Sequence, residues 1–163
     1  MVGSLGGVTS ANGLGLNYVD QWSDKWKITG SYFFNQSDNL TQQLTDREYF
    51  ESVLPGMTYS EYQQSQMENW NHRFNLKLDY QISDRTSLQI RPSLSFQNND
   101  SYKLLQGTNL LDGAAESETE TTTNGGTDAY NIGVDLNLRH RFLKEGRTLS
   151  LMLSGKTVSY THL

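Results

Sequence analysis

The chain contains no cysteine, so it has neither a disulfide framework nor a thiolate metal site, and its compartment is left open on that ground. It has no cationic excess. Its 13 Lys and Arg against 18 Asp and Glu give a net charge of -5, which argues against a general nucleic-acid binder. No apolar run approaches the roughly 18 to 20 residues that a membrane-spanning helix needs. Residues 1–10 lack the basic start and continuous apolar core of a secretory signal. Two expectations follow: a protein that stays inside the cell, or a piece of a longer export substrate whose beginning lies outside this sequence. Aliphatic side chains are few, Asn, Ser, Thr, Gln, Gly and Tyr are abundant, and the mean hydropathy is -0.64. Such polarity would mean disorder if the apolar residues were scattered. They are instead placed with period two, and aromatics make up 11% of the chain, so ordered β structure is expected.

The alternation is clearest from His72 to Asn98. Phe74, Leu76, Leu78, Tyr80 and Ile82 share one parity, and after Ser83-Asp84-Arg85 the positions Leu88, Ile90, Leu94 and Phe96 repeat it. Arg73, Asn75, Lys77, Asp79, Gln81, Gln89 and Arg91 occupy the other parity, which describes a hairpin with one apolar and one polar side. A hairpin of the same build precedes it, with Leu14, Leu16 and Tyr18, a turn at Ser23-Asp24-Lys25, then Trp26, Ile28, Tyr32 and Phe34 against Lys27 and Thr29. Gly30 falls on its apolar face and suits a place beside a large aromatic of a neighbouring strand. A third hairpin carries Tyr130, Ile132, Val134, Leu136 and Leu138 against Asn131, Asp135, Arg139 and Arg141. It turns at Lys144-Glu145-Gly146-Arg147 and returns through Leu149, Leu151 and Leu153.

The connections are read as follows. Residues 1–12 are Gly- and Ser-rich without a period and are expected to be a linker or cut edge. Gln36 to Glu68 is polar and mostly acidic. Thr45 to Glu48 fits a capping box for a short helix ending at Pro55-Gly56, but the persisting parity through Tyr62 and Trp70 favours strands that run on. Asn99 to Asp128, with its run ESETETTTNGGTD, is expected to be a long exposed loop. Residues 13–157 then form the main body, an antiparallel up-and-down meander of about six strands. Val158 and Tyr160 fall on the opposite parity from Leu149–Leu153, so a continuing strand would turn them to the polar face. The tail VSYTHL, residues 158–163, also resembles a translated sequencing-adaptor read-through, so it is expected to be non-native, with a bulge near Gly155 as the alternative.

An alternating strand buries its apolar face in a protein core or in lipid, and periodicity alone does not separate the two. Apolar bands of about nine to eleven residues match a tilted strand crossing a bilayer, whereas ordinary strands average about five to six. Short turns alternating with long polar segments, and aromatics such as Trp26, Phe34, Trp70, Tyr80 and Tyr130 near band ends, match outer-membrane barrels. Each outward Leu, Ile or Phe left in water would forfeit roughly 1.5 to 3 kcal/mol. The expected fold is therefore all-β, an arc of a larger transmembrane barrel, because membrane barrels close with about eight strands or more. The other open solution is a secreted or periplasmic sandwich in which a second sheet covers the apolar faces.

In the lipid solution Ile28, Leu76, Leu78, Ile90, Leu94, Val134, Leu136 and Leu151 face lipid. Lys27, Arg73, Lys77, Asp79, Arg91, Asp135, Arg139 and Arg141 line the lumen, where opposite charges on adjacent strands can hold the wall together. No constellation points to catalysis, a metal or a cofactor. Glu116, Glu118 and Glu120 have no calcium-loop spacing, His72, His140 and His162 have no zinc spacing, and no nucleophile elbow is present, so no enzyme is expected.

The strings GLNYVDQW, GSYFFNQSDN, REYF, NHRFNLKLDYQI, PSLSFQNNDS and GRTLSL, in this order, resemble the outer-membrane β-barrel family related to TonB-dependent receptors of Bacteroidetes-type bacteria. The resemblance covers Gly13 to Ser154. It implies the outer membrane of a Gram-negative bacterium, outer-membrane lipid and further barrel strands as partners, and a plug domain. It also implies uptake of nutrients or metal chelates driven by the TonB system. Neither a plug nor a TonB-contacting segment is visible in these residues.

Overall fold

The computed structural model describes residues 2–50 and 55–162. They form one six-stranded antiparallel sheet in sequence order: β1 (Val2–Ser23), β2 (Trp26–Glu48), β3 (Met57–Ser83), β4 (Thr86–Leu111), β5 (Ala114–Arg141) and β6 (Thr148–His162). Only sequence neighbours touch, so the sheet is a single open layer with β1 and β6 at its edges. The expected all-β meander is therefore present, and six strands make an arc rather than a ring, since barrels close with about eight or more.

The strands are much longer than the apolar bands. β3, β4 and β5 run for 27, 26 and 28 residues. At about 3.4 Å per residue they reach about 90 Å. The alternating apolar residues occupy only the half nearest the short turns. Beyond them both faces are mostly polar, with scattered residues such as Leu40, Leu44, Tyr62 and Leu104, yet the backbone pairing continues, because ladder hydrogen bonds come from the main chain and Thr-rich polar segments remain good strand formers.

This corrects several expectations. Asn99 to Asp128 is not a loop: Asn99 pairs with Thr127, and pairing continues to Leu111 opposite Ala114. The hairpin closes through Asp112-Gly113, both at positive φ (50° and 81°), the geometry of a type I′ turn that Asp-Gly favours. Residues 2–12 are not a linker either, since Val2 pairs with Thr45 and Asn12 with Gln36. Their lack of side-chain period does not prevent main-chain pairing. The capping-box segment Thr45–Glu48 ends β2 rather than starting a helix, and Val53 and Leu54 of that helix lie outside the described residues. The preferred extension of β2 and β3 beyond the apolar band is observed, with Asp38 opposite Glu68 and Glu48 opposite Thr58. No bulge occurs near Gly155. β6 pairs with β5 in unbroken register from Arg141–Thr148 to Thr127–His162. That register turns Val158 and Tyr160 to the polar side, opposite Asn131 and Ala129.

One row of the sheet is loosened by its residue types. Gly30 lies between Tyr18 of β1 and Leu76 of β3, which gives the large side chains room. In the same row, pairing of β3 with β4 skips Leu76 and Lys77 but resumes in unchanged register at Asn75–Ser93 and Leu78–Ile90. Pro92, opposite the skipped segment, has no N–H to donate. Its other side still pairs with Val134.

Candidate functional site: a two-faced wall

Paired residues share a face, so the register sorts the turn-proximal half of the sheet into rows. On one face Ile28, Leu78, Ile90, Leu136 and Leu153 form a row. Next to it lie Leu76, Pro92 and Val134, and then Tyr32, Phe74, Leu94 and Ile132. Toward the turns come Trp26, Tyr80, Leu88, Leu138 and Leu151. The eight residues expected on the apolar face thus share it. No described layer covers them: Leu151 and Leu153 are 49% and 55% exposed, and Ile28, at 5%, is shielded only by its own sheet neighbours.

Aromatic rings close both ends of this face. At the turn end Trp26 stacks on Tyr80 with centroids 4.2 Å apart, and His140 meets Phe142 edge-on at 4.8 Å. At the other end Phe34 packs against Trp70 and His72 at 5.7 and 4.9 Å, and Tyr32 stacks on Phe74 at 4.6 Å. Both histidines are held locally, with His72 Nδ1 2.9 Å from Tyr32 Oη and His140 Nδ1 2.9 Å from Thr86 Oγ1. From Trp26 to Phe34 is eight residue steps, about 27 Å along the strand. At the tilt of about 35 to 45° that barrel strands take, this is a height of about 19 to 22 Å, a little under the band of about 25 Å that an outer-membrane barrel shows to lipid.

The opposite face is polar, and it holds all eight residues expected there. From the turn end outward, Arg141 faces Thr148, and Gln81, Ser87, Arg139 and Ser150 form the next row. Lys27, Asp79, Gln89 and Asn137 follow, then Thr29 and Lys77 with Arg91, Asp135 and Ser154. Ser31, Asn75, Ser93, Gly133 and Lys156 come next, and Phe33, Arg73, Ser95 and Asn131 complete the set. Opposite charges do meet across strands, Lys27 against Asp79 and Arg91 against Asp135. The ion pair that forms is along one strand, Lys77 Nζ to Asp79 at 2.9 Å. Gln89 Nε2 donates to the other Asp79 oxygen at 2.6 Å, and Ser154 Oγ donates to Asp135 at 2.6 Å. Near the turns, Arg141 reaches the carbonyl of Asp84 at 2.9 Å.

Three cations of this face were not singled out in the sequence. Lys156 joins it through the unbroken β6 register, and Arg47 and Lys103 join it in the outer extension, paired with Tyr59 and with Ser65 and Thr123. Counting parity through the polar segments would have found all three. In the extension Tyr59 Oη donates to Glu61 at 2.6 Å, beneath the Arg47 guanidinium 5.6 Å from its ring centre. That hydrogen bond raises the phenol above its ordinary pKa, with desolvation adding in the same direction. The other face of the extension is acidic, with Asp38, Glu68 and Asp100 in one row and Glu118 and Glu120 further out.

A match to a family model agrees with this architecture. A family model described as "Putative outer membrane beta-barrel porin, MtrB/PioB" matches residues 5–141, from β1 to the last residue of β5. No curated protein matches the chain. Among solved structures, the RagAB peptide transporter and the RagAB peptide importer in its open-open state each align over 92% of this chain, at 6% identity and a TM-score of 0.46. The chain spans 20% of the length of those transporter chains. With the family model running over nearly all of the described wall, the chain belongs to the MtrB/PioB family of outer-membrane β-barrel porins, in the outer membrane of Gram-negative bacteria.

Proposed function

We propose that the six strands are a wall segment of a porin whose polar face lines a water-filled lumen and whose apolar face meets outer-membrane lipid. The observation that carries this is the uncovered apolar face, bounded at both ends by aromatic rings and backed by a continuous polar face. On this reading the protein passes solutes rather than transforming them. Further strands of the complete barrel complete the ring. Ser83–Thr86 and its companion turns sit on the periplasmic side, and the polar extensions stand outside the cell.

Single cysteines test the facing, since this arc has none of its own. In the complete barrel in liposomes, a cysteine at Lys77 is expected to react with a water-soluble maleimide. A cysteine at Leu76 or Leu78 is expected to resist it and to be quenched, once bimane-labelled, by lipid-borne quenchers. The reverse pattern overturns the assignment.

A narrower reading comes from the ordered strings between Gly13 and Ser154: TonB-driven uptake of nutrients or metal chelates, with a plug in the complete barrel. Uptake that persists unchanged after loss of TonB energisation counts against it.

A further inference from the structure

A carboxylate stands on the apolar face, inside its aromatic bounds. Asp20 pairs with Ile28, in the row of Leu78, Ile90 and Leu136, and is exposed. That row lies two residues from Trp26, about 6.8 Å along the strand toward the middle of the band. Tyr18 Oη donates to Asp20 Oδ2 at 2.8 Å, the Gln21 N–H donates to Oδ1 at 2.7 Å, and Trp22 Nε1 donates to the Tyr18 hydroxyl at 3.3 Å. These donors fix the carboxylate in place but bring no positive charge. Among the described residues no Lys or Arg pairs with it, and none lies on the apolar-parity face of any strand. A carboxylate left against hydrocarbon is costly, so a cationic partner from outside these strands is called for.

Next to Asp20, toward the outer end of the band, the same face is hollowed. A groove of about 450 Å³ is lined by Leu16, Tyr18, Gly30, Tyr32, Phe74 and Leu76. It exists because Gly30 projects no side chain: a Cβ there would meet the Leu76 side chain only at an ordinary contact distance of 3.6 Å. From the Asp20 row to the Tyr32 row is four residues, about 14 Å along the strands. Groove and carboxylate are joined by Tyr18, whose ring lines the one and whose hydroxyl holds the other. A hollow in a lipid-facing wall forfeits the dispersion contacts of its lining unless a chain enters it.

We propose that Asp20 and this groove together hold one ethanolamine phospholipid of the periplasmic leaflet, its ammonium on the carboxylate and one acyl chain in the groove. A primary ammonium donates charge-assisted hydrogen bonds to the lone pairs that Tyr18 and Gln21 leave open on Asp20. A choline headgroup has no N–H to donate, and an anionic headgroup is repelled. Trp22 and Trp26, on the turn side of Asp20, stand at headgroup level, where indoles favour the interface. The inference rests on the assignment of the apolar face to lipid and of the short turns to the periplasmic side.

Native mass spectrometry of the complete barrel in a non-ionic detergent tests it, with separate titrations of phosphatidylethanolamine and of phosphatidylcholine bearing the same acyl chains. The first phosphatidylethanolamine is expected to bind about tenfold tighter than the first phosphatidylcholine. Asp20→Asn, checked for assembly by heat-modifiable migration, is expected to bring the two lipids level. Gly30→Leu, which fills the groove, is expected to weaken the first binding of both. Equal affinities in the parent, as a cation of a neighbouring barrel strand seated on Asp20 would give, overturn the proposal, and so does a preference that survives Asp20→Asn. Unchanged first binding in Gly30→Leu, or a dimer that this variant abolishes, overturns the acyl chain as the occupant of the groove. Ready maleimide reaction of a cysteine at Leu76 would instead overturn the lipid assignment beneath it.

Discussion

Trp26 and Tyr80, adjacent across β2 and β3, stack with their ring centres 4.2 Å apart and their planes 19° from parallel. They occupy the turn end of the apolar face, where an amphipathic ring can keep its polar atom wet and its body dry. Tyr80→Ala is expected to remove about 0.5 to 1.5 kcal/mol beyond the loss of buried area. Urea unfolding of the complete barrel in lipid, followed by tryptophan fluorescence, measures it. A midpoint unchanged from the parent would show that the stack carries no stability.

The facing assignment predicts an asymmetry between neighbours in sequence. Leu76→Arg and Leu78→Arg place a charge on the apolar face, each costing about 2 to 4 kcal/mol near the bilayer midplane. The double variant is expected to fail to insert, and Lys77→Gln between them to assemble normally. Outer-membrane fractionation and protease protection distinguish the two, and normal assembly of the double variant would contradict the assignment.

In the outer extension, Gly107 lies under the ring of Tyr59. A Cβ built there would sit 2.6 Å from the Tyr59 hydroxyl oxygen, nearer than such atoms approach. Gly107→Ala is therefore expected to displace Tyr59 and break its bond to Glu61, while the apolar band below is unaffected. Faster amide exchange at Tyr59 to Glu61, with unchanged exchange at Leu76 to Tyr80, is the expected signature.

The Tyr59–Glu61 hydrogen bond also has a pH dependence of defined sign. The phenol is the donor, so its raised pKa means that the interaction is present while the phenol is protonated, and is lost as pH rises through the raised value. Carbon-13 tyrosine NMR is expected to show Tyr59 ionising at higher pH than an unperturbed tyrosine. Glu61→Ala, which removes the hydrogen-bond acceptor together with the charge, is expected to bring it back down. An unchanged titration in that variant would assign the shift to another cause.

The outer hairpin of β4 and β5 depends on the positive φ of Asp112 and Gly113. Gly113→Val forces a β-branched residue into a conformation that L-residues adopt at about 1 to 2 kcal/mol each. Fraying at Leu111 and Ala114, read by hydrogen exchange, is the expected result, with the membrane-proximal pairs unaffected.

The alternation of Phe74 to Ile82 and of Leu88 to Phe96 was enough, by itself, to determine strands, their two faces and the short turns between them. The period of a strand is two, and a buried face tolerates few exceptions. The same parity, without any pairing, places Lys27, Arg73, Lys77, Asp79, Arg91, Asp135, Arg139 and Arg141 on one face. Where both faces are wet, side chains carry only a faint imprint, such as the parity through Tyr62 and Trp70. Residues 2–12 and Asn99 to Asp128 therefore looked like linker and loop, although their backbones pair to the ends of the sheet. The signal that remained was Asp112-Gly113, whose turn chemistry is local. Register was settled only by tertiary structure. Cross-strand pairing lines the cations up row by row, carries Lys156 onto the polar face and leaves the apolar one without a second layer among the described residues. Those relations come from main-chain hydrogen bonds between distant segments, which no periodicity within one strand can specify.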